Sequence, residues 1–304
     1  FMRISKHIKD FLEYLEITKN RSEKTIQNYS HYLNRFKEFL GEEMDPKNIS
    51  LQKVNNYRIF LNRFIGDGGK TIGIKTQNFH LIALRAFLKY LTKNDIKTLA
   101  PEKIELAKIP ERTIEVISRE ELDRIFAAVD KAKGQGRRDL AILKTLYSTG
   151  LRVSELTSLN RDQVDLKRRE FMVRGKGKKP RIIFLSKEAA EEIDTYIKLR
   201  DDNYDPLFIN TGKGIKEDIT DGEKRRLSRV SIENIVRKYA SKAGIIKKVT
   251  PHTLRHSYAT ELLINGADIR SVQEMLGHSS ITTTQIYTHL TDKKLREVHD
   301  KYHK

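Results

Sequence analysis

Between Ala100 and Ile117 the apolar periodicity seen on either side gives way, Pro101 and Pro110 interrupt the stretch, and Lys and Glu alternate along it. Proline removes a backbone donor and breaks helices, and an exposed run of this composition is what joins separately packed domains. At 304 residues the chain is long enough to bury two cores. The break therefore divides it into an N-terminal domain over residues 1–110, with its linker from about residue 100, and a C-terminal domain over residues 111–304.

Upstream of the break, Ile4, Ile8, Phe11, Leu12 and Leu15 recur at helical spacing, and Ile26, Tyr29, Leu33, Phe36 and Leu40 repeat the pattern until Gly41 stops it. Val54, Tyr57, Leu61 and Phe64 form a third set, and Leu84, Phe87, Leu88 and Leu91 share one face of a fourth. These features predict a small helical bundle.

Downstream, Ser118 with Glu121 three residues on is a capping box that opens a helix. Another helix is expected from about Arg138 to Ser148, ended by Gly150. Glu170 to Val173 and Arg181 to Leu185 read as strands joined by a glycine-punctuated turn that carries Lys176, Lys178 and Lys179. Pro206 to Asn210 reads as a third strand, Thr211 to Arg229 as a charged loop or extended hairpin, and helices resume from Ser231. The expected fold class is mainly α with a small β-sheet or hairpin in the C-terminal domain (α+β).

Charge bears on the partner. The chain has 59 Lys and Arg against 41 Asp and Glu, a formal +18. Up to Pro110 there are 20 basic and 12 acidic side chains, so 8 of the surplus charges lie there and 10 follow. Two basic halves, rather than one basic tail, suggest that both domains touch the same polyanion, nucleic acid foremost. The absence of cysteine excludes disulfides, thiolate catalysis and cysteine-based zinc sites. No apolar run nears the ~18 residues of a membrane span, and the opening Phe-Met-Arg-Ile-Ser-Lys lacks a signal peptide's apolar core, with Met2 reading as the initiator after an added Phe1. A cytoplasmic protein without membrane association is expected.

Thr250-Pro251-His252-Thr-Leu-Arg255-His256 is the sharpest local signal. Thr250 can cap a helix, Pro251 suits its first turn, and His252 and Arg255 lie three apart on one face. Leu254, Tyr258 and Leu262 mark a separate apolar stripe, which leaves the His/Arg face for a ligand, and the positive helix N-terminus suits a phosphate. A capped surface helix with solvated His and Arg explains these seven residues equally well. Two further segments weigh against that: Thr149-Gly-Leu-Arg152-Val-Ser-Glu155-Leu, and Leu276-Gly-His278 followed nine residues later by Tyr287. Tyr287 taken alone would read as an ordinary core or surface tyrosine.

These segments, in this order, resemble the tyrosine recombinase (phage integrase) family over nearly the whole chain, and the compact layout is most similar to its Xer-type members of archaea and bacteria. The resemblance implies a site made of Arg152, Lys176, His252, Arg255 and His278, with Tyr287 as nucleophile and Glu155 in support. Lys176 matches the family's pattern better than Lys178 or Lys179, which share its turn. The paired guanidiniums would stabilise charge added to a phosphodiester. His252 would take the tyrosine proton, since a phenol of pKa about 10 is a poor nucleophile when neutral. Lys176 would protonate the departing 5′ oxygen, His278 would hydrogen-bond the phosphate, and Glu155 would orient its neighbours.

A phosphotyrosyl link conserves the energy of the broken bond, so no cofactor and no metal is implied. Also implied are double-stranded DNA with a specific recombination site as partner and an N-terminal core-binding domain closing with the catalytic domain as a clamp. A homotetramer on two DNA sites, monomeric or dimeric off DNA, and association with the nucleoid follow from the same resemblance. Leu295, Val298 and Tyr302 form an apolar stripe that would dock on a neighbour or on the chain's own domain. The biological role it suggests is chromosome or plasmid dimer resolution. The alternatives are an integrase of a phage or conjugative element, a type IB topoisomerase-like enzyme, and a non-catalytic DNA-binding protein.

Overall fold

Capped amphipathic helices build the N-terminal part of the chain. In the computed structural model the described residues are 3–41, 44–66, 69–109, 115–174, 180–212 and 221–277, in two units, Phe1–Arg112 and Thr113–Lys304. In the first unit α1 (Ile4–Glu13) buries Ile4, Ile8 and Phe11 and runs on into a π turn, Tyr14–Thr18, that buries Leu15. The helix α2 (Glu23–Leu40) starts where the Ser22 hydroxyl accepts from the Thr25 amide, and α3 (Leu51–Arg63) where Ser50 does the same for Lys53. The helix α4 (Ile74–Lys93) lays Leu84, Phe87, Leu88 and Leu91 into the core.

That core is held by aromatic packing. The Phe11 ring sits 6.0 Å from Tyr29, 5.7 Å from Phe87 and 5.3 Å from Tyr90, centroid to centroid. Tyr57 is fully buried and satisfies its hydroxyl on His80 Nδ1 at 3.0 Å. Burial, then the nearby Arg35, push the His80 pKa down to about 4, so the ring is neutral. Asn78 pairs its amide with both backbone groups of Ala107, 2.8 Å to the carbonyl and 3.1 Å from the N–H, which fastens the segment leading out of this unit.

The second unit is organised around α6 (Gly134–Thr149), a helix buried on almost every side that packs against α5 (Arg119–Ala127), α8 (Lys187–Lys198), α9 (Arg229–Lys242) and α10 (Pro251–Ile264). Two charges on it are buried as a pair: Arg138 Nη2 lies 2.7 Å from Asp139, Arg138 Nη1 donates to the Ile209 carbonyl, and the Tyr239 hydroxyl donates to the second Asp139 oxygen. A buried pair needs those extra bonds to offset its desolvation. Two shorter helices, α7 (Val153–Thr157) and α11 (Ile269–Leu276), lie at the site described below.

A three-stranded antiparallel sheet flanks the helices in the order β1 (Val164–Asp165), β2 (Glu170–Arg174), β3 (Pro180–Phe184), with Phe171 opposite Ile183. Strand alternation turns Phe171, Val173 and Ile183 inward and leaves Met172, Ile182 and Phe184 exposed. The fold is thus mainly helical with a small sheet in the C-terminal half, as the sequence implies. Three details differ. The third strand is Val164–Asp165, not Pro206 to Asn210, which makes only isolated bridges from Pro206 to Asn160 and from Ile209 to Arg226. The helix expected from about Arg138 begins a turn earlier, at Gly134, because two glycines in that turn mask it from propensity. The last helix group starts at Arg229, capped by Ser228.

Candidate active site

Thr250 opens α10 as expected, its hydroxyl accepting from the Thr253 amide with Pro251 in the first turn. His252 follows with an exposed surface. Arg255, by contrast, does not lie on a solvent face. It is 4% exposed, and its guanidinium donates to the Gly150 carbonyl and, at 2.7 Å, to the Leu276 carbonyl. Sequence periodicity sorts side chains by polarity and cannot distinguish a solvated arginine from one sealed by backbone acceptors.

Gly150 is where α6 ends and the chain turns toward Arg152. Its φ of +58° suits glycine, and a Cβ there would meet the Tyr258 ring at 2.5 Å and Leu276 at 3.0 Å. The tight approach brings the Gly150 carbonyl onto Arg255 and sets Arg152 as the residue that opens α7.

Glu155, 7% exposed, then ties the arrangement together. One of its oxygens accepts from Arg152 Nη1 and Arg181 Nη1, each at 2.9 Å. The other accepts from the Arg152 backbone N–H at 2.9 Å and Arg181 Nη2 at 2.8 Å. Both arginines reach on to the end of α11: Arg152 Nη2 donates to the Gly277 carbonyl at 2.8 Å and Arg181 Nε to the Met275 carbonyl at 3.2 Å. With Arg255 on Leu276, three guanidiniums grip three consecutive carbonyls. A helix C-terminus carries unsatisfied carbonyls and the negative end of the helix dipole, so cations are favoured there.

The local field follows from this crowding of positive charge. Burial works to raise the Glu155 pKa, but the hydrogen bonds from Arg181 and from the Arg152 amide outweigh it and hold the carboxyl below its ordinary range. Protein packed around the His252 ring, then Arg255 and more weakly Arg152, hold its pKa below the usual histidine value against the opposing pull of Glu233. His256 is pushed down to about 4 by burial and by His252 and Arg255. Beside His252 a cleft of about 150 Å³ is lined by Val153, Glu233, Arg237 and Lys248. Among the described residues no group of three His, Asp or Glu side chains is placed to hold a metal ion, and no helix is long and apolar enough to cross a membrane.

Of the residues singled out from sequence, Arg152, Glu155, His252 and Arg255 are brought together in the second unit, from stretches 100 residues apart. Lys176, His278 and Tyr287 lie outside the described residues, as does the stripe at Leu295, Val298 and Tyr302. Sequence reasoning missed Arg181. The signal was present: it stands two residues before Ile183 in β3, on the inward face of a strand, where a charged side chain must have a buried partner.

The chain is similar to known proteins over most of its length. Residues 115–294 match the phage integrase family, and residues 8–95 match the family's N-terminal SAM-like domain. The tyrosine recombinase XerD of Oceanobacillus iheyensis is 35% identical over 305 residues, 97% of each chain. Among solved structures, the XerA recombinase is 31% identical, with 99% of each chain covered and a TM-score of 0.52. The fold is also that of the XerH site-specific recombinase bound to its palindromic difH substrate in a post-cleavage complex, 23% identical, with 94% of this chain and 82% of that one covered and a TM-score of 0.70.

Proposed function

The chain belongs to the phage integrase family as a Xer-type, site-specific tyrosine recombinase, and from that premise we propose that it cuts and rejoins double-stranded DNA through a 3′-phosphotyrosyl link to Tyr287. The observation that carries this reading is the convergence of Arg152 and Arg255 on the Gly277 and Leu276 carbonyls, immediately before His278 in sequence. Two guanidiniums gathered on adjacent carbonyls of one turn concentrate positive charge where an anion is favoured.

In this reading Arg152 and Arg255 bind the non-bridging oxygens of the scissile phosphate and oppose the charge that attack adds. His252, neutral near pH 7 because its pKa is depressed, accepts the Tyr287 proton. The tyrosine oxygen bonds to phosphorus, the bond to the 5′ oxygen breaks, and Lys176 gives that oxygen a proton. His278 donates a further hydrogen bond to the phosphate. Rejoining reverses the sequence with a 5′ hydroxyl from another strand as nucleophile.

The N-terminal bundle over residues 1–110 serves as the core-binding domain, and both basic units share the duplex, as the spread of the +18 charge supports. Four protomers assemble on two sites, and the biological outcome is resolution of chromosome or plasmid dimers. The extent of the likeness to XerD, across 97% of the chain, supports this over integration of a mobile element. The test incubates the protein with a nicked duplex whose site has been selected from a random-sequence pool for tightest binding. A denaturation-resistant protein–DNA adduct is expected from the natural sequence and none from Tyr287→Phe. An adduct that survives that substitution, or none at all, refutes the reading.

A further inference from the structure

Arg181 has no place in the chemistry above, yet it is bound more tightly into the site than Arg152. Its side chain is 11% exposed, against 28% for Arg152, and all three guanidinium nitrogens are engaged: Nη1 and Nη2 on the two Glu155 oxygens, Nε on the Met275 carbonyl. The Gly277 backbone lies so close that a Cβ there would fall 2.9 Å from Arg181 Nη1. Such a fork on a carboxylate fixes both partners in one plane, which a lysine cannot do.

The charges explain why the site needs it. Glu155 is buried and ionised beside Arg152, so with these two alone the attraction that orients Arg152 would also cancel its charge at the place where a phosphate must be held. Arg181 supplies a second positive charge to the same carboxylate, and the trio of Arg152, Glu155 and Arg181 keeps a net charge of one positive. Arg181 also links β3, one arm of the hairpin whose turn carries Lys176 in the sequence, to the last turn of α11 ahead of His278.

We propose that Arg181 is a positioning residue for strand cleavage: its guanidinium neutralises and anchors Glu155, so that Arg152 meets the phosphate with its charge uncancelled and its donors correctly aimed. This inference rests on the function proposed above. Arg181 itself does not touch the DNA.

The experiment measures the single-turnover rate of adduct formation on the selected nicked duplex for the natural sequence, Arg181→Ala, Arg181→Lys and the double variant Arg181→Ala with Glu155→Gln. Duplex affinity and thermal melting are recorded for each. Arg181→Ala is expected to slow the adduct roughly 10- to 100-fold, the usual loss when a supporting partner of a reactive group is removed, with affinity changed less than about tenfold. Arg181→Lys, which keeps the charge and loses the fork, falls between. The double variant is the decisive one: removing the carboxylate's charge frees Arg152, so it cleaves faster than Arg181→Ala alone. If Arg181 merely filled space against Gly277, the second substitution would bring no recovery, and a double variant as slow as or slower than Arg181→Ala overturns the proposal. So does Arg181→Ala or a folded Arg181→Lys that cleaves at the natural rate, and the lysine variant decides the matter should the alanine variant fail to fold. A natural protein that forms no adduct sinks the parent reading and this inference together, whereas the other outcomes reach the role of Arg181 alone.

Discussion

Arg152 and Arg255 donate to adjacent carbonyls of one turn of backbone, Arg152 to Gly277 at 2.8 Å and Arg255 to Leu276 at 2.7 Å. Their surroundings are nonetheless unequal. Arg255 is 4% exposed and also satisfies the Gly150 carbonyl, so it cross-links α10 to the ends of both α6 and α11. Arg152 has an exposed edge and leans on Glu155. One is a structural strut, the other a group with an edge open to solvent.

Replacing each by alanine should separate those roles. Both variants are expected to lose adduct formation by at least about 100-fold, the typical loss when one preorganised donor to a developing anion is removed, while duplex affinity drops by less than about tenfold because many dispersed contacts supply it. Only Arg255→Ala should melt much earlier. It strands two buried carbonyls at about 1–3 kcal/mol each, which for a unit of this size is a fall on the order of 5–15 °C. Differential scanning calorimetry reads the contrast, and equal melting temperatures for the two variants would count against the strut.

Glu155 gives a pH signature of stability. Its carboxyl is held below the ordinary range in the folded chain, so its contribution is present above the unfolded value of about 4.3 and is lost as pH falls through the lower folded value. Glu155→Gln, which leaves two guanidiniums without their counter-charge, should cost about 3 kcal/mol at pH 7. As pH falls below the unfolded value the contribution of the charge shrinks, so the gap between the two proteins should narrow between pH 7 and pH 3. A melting-temperature gap as wide at pH 3 as at pH 7 would show that the carboxylate's charge is not what stabilises the site.

His252 should set the acid limb of cleavage. Because its pKa lies below the histidine norm of about 6.5, the ring is neutral at pH 7 and protonates only on further acidification. The adduct-forming rate is therefore expected to be level between pH 7 and 8 and to fall with a midpoint under about 6.5. His256 is pushed down to about 4, so the substitution at His252 is what assigns the limb. His252→Gln should cleave about 100-fold or more slowly and lose the limb. The pH–rate profiles of both proteins decide it, and an unchanged limb in the variant would assign the base to another group.

Local signals were the legible part of this chain. The cap at Ser118, the stops at Gly41 and Gly150, the β2–β3 pairing and the helical sets of the first unit all follow from residues within a few positions of one another. What could not be read was which polar groups meet across distance. The burial of Arg255 is not written in its periodicity, because its acceptors are the carbonyls of Gly150 and Leu276 and a carbonyl leaves no mark on sequence. Arg181 was passed over because its partner Glu155 stands 26 positions away. Pro206 to Asn210 looked like a strand because its apolar residues are buried, although they fill the core from a connecting segment.

Gly150 joins the fold to the site, and alanine there should damage both. With φ at +58°, a side chain costs about 1 kcal/mol for the backbone conformation alone. Its Cβ would also fall 2.5 Å from the Tyr258 ring and 3.0 Å from Leu276, and displacing a packed core adds about 1–3 kcal/mol. Gly244 supplies the control in the same unit, since its φ is +71° and a Cβ there meets nothing within 4 Å. Gly244→Ala should therefore melt only slightly early and cleave normally. Gly150→Ala should melt earlier still and lose most cleavage even well below its transition, because the carbonyl that moves with residue 150 is the one that holds Arg255. If the two variants melt and cleave alike, the close approach of Gly150 to Tyr258 is not what positions Arg255.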